Sequence, residues 1–167
     1  GGLSVVNTEY QANDIAAKMA NNSGHDYQLL HAPDNIGKKA LEELVKEPVV
    51  KNALDVIDRT SIIIHSIGNA FEMAHRRKSS MEVLKVLEDK KAVSESFGSY
   101  FDKDGNEIFK TSTIGMSFKD VDGINNVFTI VGGEKKADAV YSYLCTKPAN
   151  ATLIIDEAIC KKIIKKL

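Results

Sequence analysis

The sequence predicts an α/β domain with a mostly parallel sheet, flanked by helices and interrupted by an inserted β-hairpin. Two observations predict this fold class. Runs rich in β-branched residues, such as residues 60–68 and 126–131, alternate with segments whose apolar residues recur at helical spacing. The stretch from 93 to 110 differs, because it holds Asp104-Gly105 between two β-prone arms, the pattern of a hairpin. With 167 residues, 43% of them hydrophobic, the chain suits a single domain spanning residues 1–167.

The first third of the chain is predicted to be mainly helical. A stripe of apolar residues at helical spacing marks the first helix: Ala12, Ile15, Ala16 and Met19. The segment "YQLLHAP" is predicted to be a buried strand that ends at Pro33. Two helices follow over residues 37–46 and 48–58, and the second has Pro48 at its first helical position.

The rest of the chain alternates strands with helices. "TSIIIHSIG" is the clearest strand and ends at Gly68. Helices are predicted over residues 70–76, over 80–89 with Ser80 as N-cap, and over 118–121. The run before Gly132 predicts a strand covered on both faces, and a helix (135–144), the strand "ATLIIDE" and a last helix (157–167) complete the pattern.

Composition excludes several classes of protein. The net charge of −1, with no long basic stripe on a helix except the closing "KKIIKK", argues that this chain is not itself an electrostatic nucleic-acid binder. No apolar run reaches the ~18 residues of a membrane span. Cys145 and Cys160 have no metal-ligand spacing, so we expect reduced cysteines, a cytoplasmic location, and neither a metal nor a cofactor.

The predicted site lies where the strands end. Pro33, Gly68, Gly132-Gly133 and Asp156 each follow an apolar run. The carboxyl ends of parallel strands meet at one edge of a sheet, where open α/β sheets bind their ligands. The sequence therefore predicts that these four turns open onto one ligand-binding edge.

The turn at Gly132-Gly133 predicts an anion site. A glycine pair between a strand and a helix leaves backbone N–H groups and the positive end of the helix dipole facing the edge. Lys136 is preferred over Lys135 as the side chain that reaches back, since a lysine in a first helical turn opposes the dipole. The alternative is a turn that serves the backbone alone, and the glycines by themselves leave the two equally open.

Three further side chains are candidates, and each has an ordinary alternative. Arg76, within "HRRK", suits a phosphate group, but basic residues are also common in the last turn of a helix. Glu95 could accept sugar hydroxyls, but such a carboxylate is more often a surface or pairing residue. Gln11 is equally ambiguous from the residues alone.

The sequence offers no catalytic group. "DKDGNE" resembles a calcium loop, but its glycine stands in the fourth place and Thr113 occupies the twelfth, so a turn is the better interpretation. His65 lies among isoleucines, where a hydrogen-bonded core histidine is expected rather than a base. His31, at a strand end, is nearer the predicted site. Neither histidine has a nucleophile-elbow partner, and no GxSxG occurs.

A series of segments resembles one family in order and across nearly the whole chain. The segments are "YQANDIAAKMA", "KEPVVKNALDVID", "IIIHSIGNAFEMAHRR", "AVSESFGSYFDKDGNE", "VGGEKKADAV" and "LIIDEAICKKII". Together they resemble the sugar-binding effector domain of SorC/DeoR-type bacterial transcription regulators. The resemblance implies a fold akin to phosphosugar isomerases and glucosamine-phosphate deaminases, used for sensing rather than catalysis.

The resemblance also implies a ligand and its contacts. Carried over by motif, Gln11, Arg76, Glu95 and Lys136 match positions that contact a sugar phosphate, and the effector implied for members that repress glycolytic genes is fructose-1,6-bisphosphate. These regulators also have an N-terminal DNA-binding domain and a first βα unit, both expected to be missing from this chain. Operator DNA would then be bound only through the missing domain. We expect the chain to form a homo-oligomer, and we expect it to bind its effector poorly without the missing βα unit. The alternative function is a phosphosugar isomerase or deaminase on the same fold, since fold alone does not decide function.

Overall fold

The structure is a computed structural model that describes residues 12–33, 36–146 and 150–166. The chain forms two compact units. One comprises residues 1–60 and 112–116, and the other comprises residues 61–111 and 117–167. Within the described ranges, none of the helices has the length and apolar character needed to cross a bilayer.

The described part of the first unit contains three helices: α1 (Ala12–Ser23), α2 (Lys38–Leu44) and α3 (Pro48–Ile57). Its core is a cluster of buried apolar residues, namely Leu30, Ala32, Val50, Ala53 and Ile114. Pro48 begins α3 as predicted. The strand predicted before Pro33 is wrong, because residues 27–32 form no strand and Pro33 makes a single bridge. Leu30 and Ala32 are buried against α2 and α3, and that burial alone accounts for the apolar run.

The second unit contains the sheets and the remaining helices. Its strands are β1 (Ile62–His65), β2 (Gly68–Asn69), β3 (Ser94–Ser96), β4 (Ser99–Phe101), β5 (Glu107–Lys110), β6 (Asn126–Val131) and β7 (Ala151–Ile155). Its helices are α4 (Ala70–Arg76), α5 (Met81–Asp89), α6 (Phe118–Val121), α7 (Ala137–Cys145) and α8 (Glu157–Ile164), with one 3-10 turn at Glu134–Lys136. The predicted α/β fold with a parallel sheet flanked by helices is therefore confirmed.

The parallel sheet has the strand order β1-β6-β7. His65 at the end of β1 is paired with Thr129, and Val131 at the end of β6 is paired with Ile155. The three strands therefore end at one edge, as predicted for Gly68, Gly132-Gly133 and Asp156. Pro33 does not follow a strand of this sheet.

Only one face of the parallel sheet is buried. Val131 packs against α7 and α8 through Val140, Tyr143 and Ile159. The opposite face carries isoleucines that are 46–57% exposed: Ile62, Ile64, Ile130 and Ile154. The prediction that β6 is covered on both faces is therefore wrong, because α7 and α8 pack on the same side of the sheet.

The second sheet is antiparallel, with the order β2-β3-β4-β5. The predicted hairpin at Asp104-Gly105 joins β4 to β5, and the Asp102 carboxylate accepts the N–H groups of Asp104 and Asn106 in that loop. A second hairpin joins β3 to β4 through Phe97 and Gly98, which have φ of 51° and 78°. Two consecutive positive φ angles are what a two-residue hairpin turn requires. The inserted hairpin is thus part of a larger sheet.

The two faces of the antiparallel sheet differ in chemistry. Glu95 and Tyr100 are cross-strand partners, and Tyr100 packs in a cluster with Ala70, Ala74 and Leu87 of α4 and α5. The alternate positions on β3 and β4 carry three small hydroxyl side chains, Ser94, Ser96 and Ser99, together with Phe101. Side chains alternate across a strand, so the serines lie on the face opposite Glu95. There the Ser94 hydroxyl lies 2.7 Å from that of Ser142 on α7.

Candidate functional site: the carboxyl edge of the parallel sheet

Three chain segments meet at the edge where the parallel strands end. Gly68 follows β1 and is paired with Glu95 of β3. Gly132 and Gly133 follow β6, and Asp156 follows β7. Since β1, β6 and β7 are neighbours in the sheet, these segments lie side by side at one edge.

The turn after β6 is held at both sides of Gly133. Its N–H donates to Asp156 Oδ2 at 2.5 Å, and its carbonyl accepts the Lys136 N–H at 2.9 Å. Gly133 has φ 98° and ψ 123°, a conformation that L side chains rarely adopt. A Cβ on Gly132 would meet only Asp156 Oδ2, at an ordinary 3.7 Å. The turn therefore requires glycine at position 133 but not at 132.

The two lysines after this turn differ in exposure. Lys136 ends the 3-10 turn and is partly buried, whereas Lys135 is exposed. Neither ammonium group forms an ion pair within the described ranges. The next element, α7, begins at Ala137, so Lys136 lies where the positive end of the helix dipole is found.

Asp156 caps helix α8 and also reaches the neighbouring turn. Its Oδ1 accepts the Ile159 N–H at 2.8 Å, while its Oδ2 accepts the Gly133 N–H. These backbone hydrogen bonds, with that of Gly133 first, lower the pKa of the exposed Asp156 carboxyl below its usual value. Asp156 is therefore a carboxylate at neutral pH and is held by main-chain donors.

Glu95 is buried although it is charged, with 3% of its surface exposed. Its Oε1 accepts the Gly98 N–H at 2.7 Å and lies 3.0 Å from Arg77 Nη2. A Cβ on Gly68 would lie 3.6 Å from Glu95 Oε2 and only 2.2 Å from Met73 Cγ. The close approach of β2 to β3 and α4 therefore requires glycine at position 68.

The partner of Glu95 is Arg77, which the sequence analysis did not select. Arg77 Nη1 donates to the Tyr100 hydroxyl at 3.3 Å, and its Nε is buried without an acceptor among the described residues. Burial alone would lower the pKa of Arg77, but the Glu95 carboxylate and the Tyr100 hydroxyl raise it above its usual value. Arg76, the residue selected, is exposed in the last turn of α4 and forms no hydrogen bond or ion pair with Glu95 among the described residues.

His65 is a hydrogen-bonded core histidine, as predicted. Its Nε2 lies 2.7 Å from Thr129 Oγ1 and its Nδ1 lies 3.3 Å from Ser96 Oγ, so it links β6 to β3. Its ring stacks at 4.7 Å on Phe97, the residue with positive φ at the hairpin tip. Burial lowers the pKa of His65 to about 4, against a weaker raising effect of the Ser66 backbone.

The structure brings together some of the predicted site residues. Glu95, Gly132, Gly133 and Lys136 lie on segments that meet at the carboxyl edge, while Gln11 lies outside the described residues. Sequence reasoning missed Arg77 and the tie from Asp156 to Gly133. The doublet Arg76-Arg77 signalled an arginine at this place, but helical phase at the end of a seven-residue helix did not indicate which one turns inward. Within the described ranges, no three His, Cys, Asp or Glu side chains gather as metal ligands would.

Comparison with known proteins identifies the family. The family model described as "Putative sugar-binding domain" matches residues 1–165. The chain is 38% identical over 165 residues to the central glycolytic genes regulator of Bacillus subtilis (strain 168), and 35% identical to the regulator of the same name from Priestia megaterium. Each match covers 99% of this chain and 48% of the relative. The chain therefore spans about half the length of the curated relatives it matches.

The solved structure of a related regulator supports the same family. A SorC family transcriptional regulator from Enterococcus faecalis superposes with a TM-score of 0.86 at 38% identity, over 92% of this chain and 62% of that one. A transcriptional regulator from Streptococcus pneumoniae TIGR4 has a TM-score of 0.82 at 21% identity, covering 99% and 66%, which bears on the fold alone. The chain belongs to the sugar-binding domain family that its sequence motifs indicated.

Proposed function

We propose that this chain is the effector-sensing domain of a transcription regulator of glycolytic genes and that it binds a phosphorylated sugar, with fructose-1,6-bisphosphate as the first choice. Two relatives that match 99% of the chain are named as regulators of central glycolytic genes. The domain family supports a sugar as the class of ligand. The proposal that the sugar carries a phosphate group rests on the chemistry of the carboxyl edge.

The observation that carries the proposal is the turn after β6 with Lys136 beside it. The first N–H groups of a helix have no intrahelical acceptor, so those of Glu134 and Lys135 are available to an anion. Lys136 adds a positive charge at the same end of the helix. Main-chain donors and one ammonium group at a strand-to-helix turn form the surroundings that a phosphate group prefers.

The ring hydroxyls of the sugar would lie towards Glu95 and Gly68. Glu95 Oε1 accepts the Gly98 N–H and lies 3.0 Å from Arg77 Nη2, and Oε2 lies on the side of Gly68, 3.6 Å from the place of a Cβ there. A carboxylate fixed by an arginine is a rigid acceptor for hydroxyl groups, because its orientation does not change on binding. Gln11 and Arg76 stay predictions as further contacts, with Arg76 the candidate for a second phosphate.

Regulation requires that the effector prefer one arrangement of the complete protein over another. A ligand shifts an equilibrium only by its difference in affinity for the two states. We expect a homo-oligomeric regulator whose DNA-binding segment lies outside this chain, since a net charge of −1 does not favour binding of an operator by this chain itself. In this proposal the domain senses its ligand and does not transform it.

Calorimetric titration of the full-length protein containing this chain tests the proposal. The ligands are fructose-1,6-bisphosphate, fructose 6-phosphate and fructose. We expect the bisphosphate to bind most tightly and fructose to be at least about 100-fold weaker, because it loses charge-assisted hydrogen bonds of about 1.5–3 kcal/mol each. Equal affinity for fructose and its phosphates would overturn the proposed phosphate site. Turnover of any sugar phosphate in a coupled assay would instead favour an isomerase or deaminase.

A further inference from the structure

Asp156 differs from the other acidic residues around the turn. Each neighbour has a lysine partner: Glu134 with Lys162, Asp138 with Lys166, and Glu157 with Lys161. Asp156 forms no ion pair with any of the described residues. Its carboxylate is held by backbone N–H groups of Gly133 and Ile159. It is therefore bound in the way that a free anion is bound at a helix N-terminus.

The donor that Asp156 occupies belongs to the turn where the phosphate is proposed to bind. Gly133 N–H is directed at Asp156 Oδ2 at 2.5 Å, and the left-handed conformation of Gly133 sets that direction. The same carboxylate also caps α8 through Ile159. An anion that approaches this turn meets one donor already used and a negative charge beside it.

We propose that Asp156 is an internal competitor at the anion site: its carboxylate occupies the Gly133 N–H in the free protein, and a phosphate group at the turn displaces it. This inference rests on the proposed function, since it concerns the same site. Asp156 is therefore an affinity-setting residue, which makes phosphate binding weaker than the turn and Lys136 alone would allow. Exposure of Asp156 to solvent gives its carboxylate room to rotate away while Ile159 stays capped.

The alternative is that Asp156 only holds the turn in shape. The two roles predict opposite signs for one substitution. Asp156→Asn keeps an oxygen that can cap α8, because asparagine is as good an N-cap as aspartate. It removes the negative charge and weakens the hold on Gly133. A competitor that is weakened lets anions bind more tightly, whereas a support that is weakened makes them bind less tightly.

The matched control is Glu157→Gln. It removes one negative charge at the adjacent residue, in the first turn of the same helix, but Glu157 is paired with Lys161 and accepts no hydrogen bond from Gly133 among the described residues. If charge near the turn were the whole effect, both variants would change anion affinity alike. If occupation of the Gly133 N–H matters, Asp156→Asn must exceed Glu157→Gln.

Inorganic phosphate is the probe, added to the full-length protein and followed by amide NMR with Gly133 as reporter. We expect Asp156→Asn to bind phosphate about three- to tenfold more tightly than wild type, and Glu157→Gln to change affinity by less than about twofold. Melting temperatures check folding, and Asp156→Ser, which also retains a cap, replaces Asp156→Asn if that variant does not fold.

Phosphate affinity in Asp156→Asn that is unchanged or weaker, including no binding by either protein, overturns the competitor role. Equal tightening in Glu157→Gln overturns it as well. The proposed function is judged separately, since it fails when wild-type protein does not bind fructose-1,6-bisphosphate, whatever phosphate does. If Asp156→Asn binds phosphate more tightly but the wild-type protein binds no sugar phosphate, the competitor role of Asp156 stands and the proposed sensing function fails.

Discussion

The two sheets of the second unit place their polar groups in opposite ways. At the edge of the parallel sheet, main-chain donors and Lys136 lie at or near the surface beside the exposed Asp156. Beside the antiparallel sheet, Glu95 and Arg77 are withdrawn from water and pair with each other, while Glu95 also accepts the Gly98 N–H and Arg77 donates to Tyr100. The comparison indicates different roles for the two sets of polar groups. The buried pair of Glu95 and Arg77 holds the side of the site in place, and the exposed edge offers hydrogen-bond donors to a ligand.

The difference has an energetic consequence. A buried ion pair contributes little net stability over an apolar replacement, but removal of one partner leaves an uncompensated charge. A lysine near the surface that forms no ion pair has little effect on stability, so its role appears only when a ligand is present. Substitutions in the antiparallel sheet should therefore change folding, and those at the edge should change binding.

The largest effect is expected from Glu95→Gln. It leaves the Arg77 guanidinium buried without its carboxylate, so the free energy of unfolding should fall by about 3–5 kcal/mol in urea denaturation. The double variant Arg77→Met/Glu95→Gln should recover at least about 1 kcal/mol of that loss. Arg76→Met, at the exposed neighbour, is the control and should stay within about 0.5 kcal/mol of wild type. If Glu95→Gln lost no more stability than Arg76→Met, the predicted difference between the buried pair and the exposed neighbour would not hold.

His65, which links the two sheets, predicts a pH dependence. Its pKa is about 4 in the folded protein and 6.5 in the unfolded chain, because burial disfavours the charged ring. The unfolded state therefore binds more protons, and stability that is present above pH 6.5 is lost as pH falls towards about 4, by up to about 3 kcal/mol. Urea denaturation between pH 7 and 4.5 should show a shallower decline for His65→Gln. The matched control is His75→Gln, at an exposed histidine, which should keep the wild-type slope of stability against pH. Equal slopes in all three proteins would contradict the claim that His65 is buried as a neutral ring.

Lys136→Ala tests whether the polar groups at the exposed edge act in ligand binding rather than in stability. Loss of one charge-assisted hydrogen bond of about 1.5–3 kcal/mol should weaken binding of fructose-1,6-bisphosphate by about ten- to a hundredfold in calorimetry of the full-length protein. Stability should change little. Lys135→Ala, on the exposed side of the same turn, is the matched control, and a larger effect there than at Lys136 would exchange the two roles.

The smallest effect concerns the backbone of the turn itself. Gly133→Ala places a side chain at φ 98°, so we expect a loss of about 1–3 kcal/mol in the free energy of unfolding. Gly132→Ala should be tolerated, since its Cβ would meet only Asp156 Oδ2 at 3.7 Å. Thermal denaturation of both variants checks this. Equal losses would mean that the pair, rather than Gly133 alone, determines the turn.

Sequence reasoning predicted the local features best. The bounds of α4 and α6, the cap at Ser80 and the hairpin at Asp104-Gly105 follow from short-range signals, and the structure confirms them. The three strand ends at one edge follow from the rule for parallel sheets. These features depend on residues that are close in sequence or on a topology with few alternatives.

The features that were missed depend on long-range packing. An apolar run such as the one before Pro33 reports burial, and burial against helices gives the same pattern as burial in a sheet. Which of Arg76 and Arg77 turns towards Glu95 depends on a helix end and on a strand eighteen residues away from Arg77 in sequence. The exposed face of β6 depends on where α7 and α8 pack, which the composition of the strand does not record.

The central claim is that the turn after β6 binds the phosphate of a sugar. The most direct measurement is a crystal structure of the full-length protein with fructose-1,6-bisphosphate. The account predicts a phosphate group within about 3 Å of Lys136 Nζ and of the N–H groups of Glu134 or Lys135, with the sugar hydroxyls towards Glu95. A bound ligand whose phosphates both lie away from Gly132-Gly133 and Lys136 would contradict it.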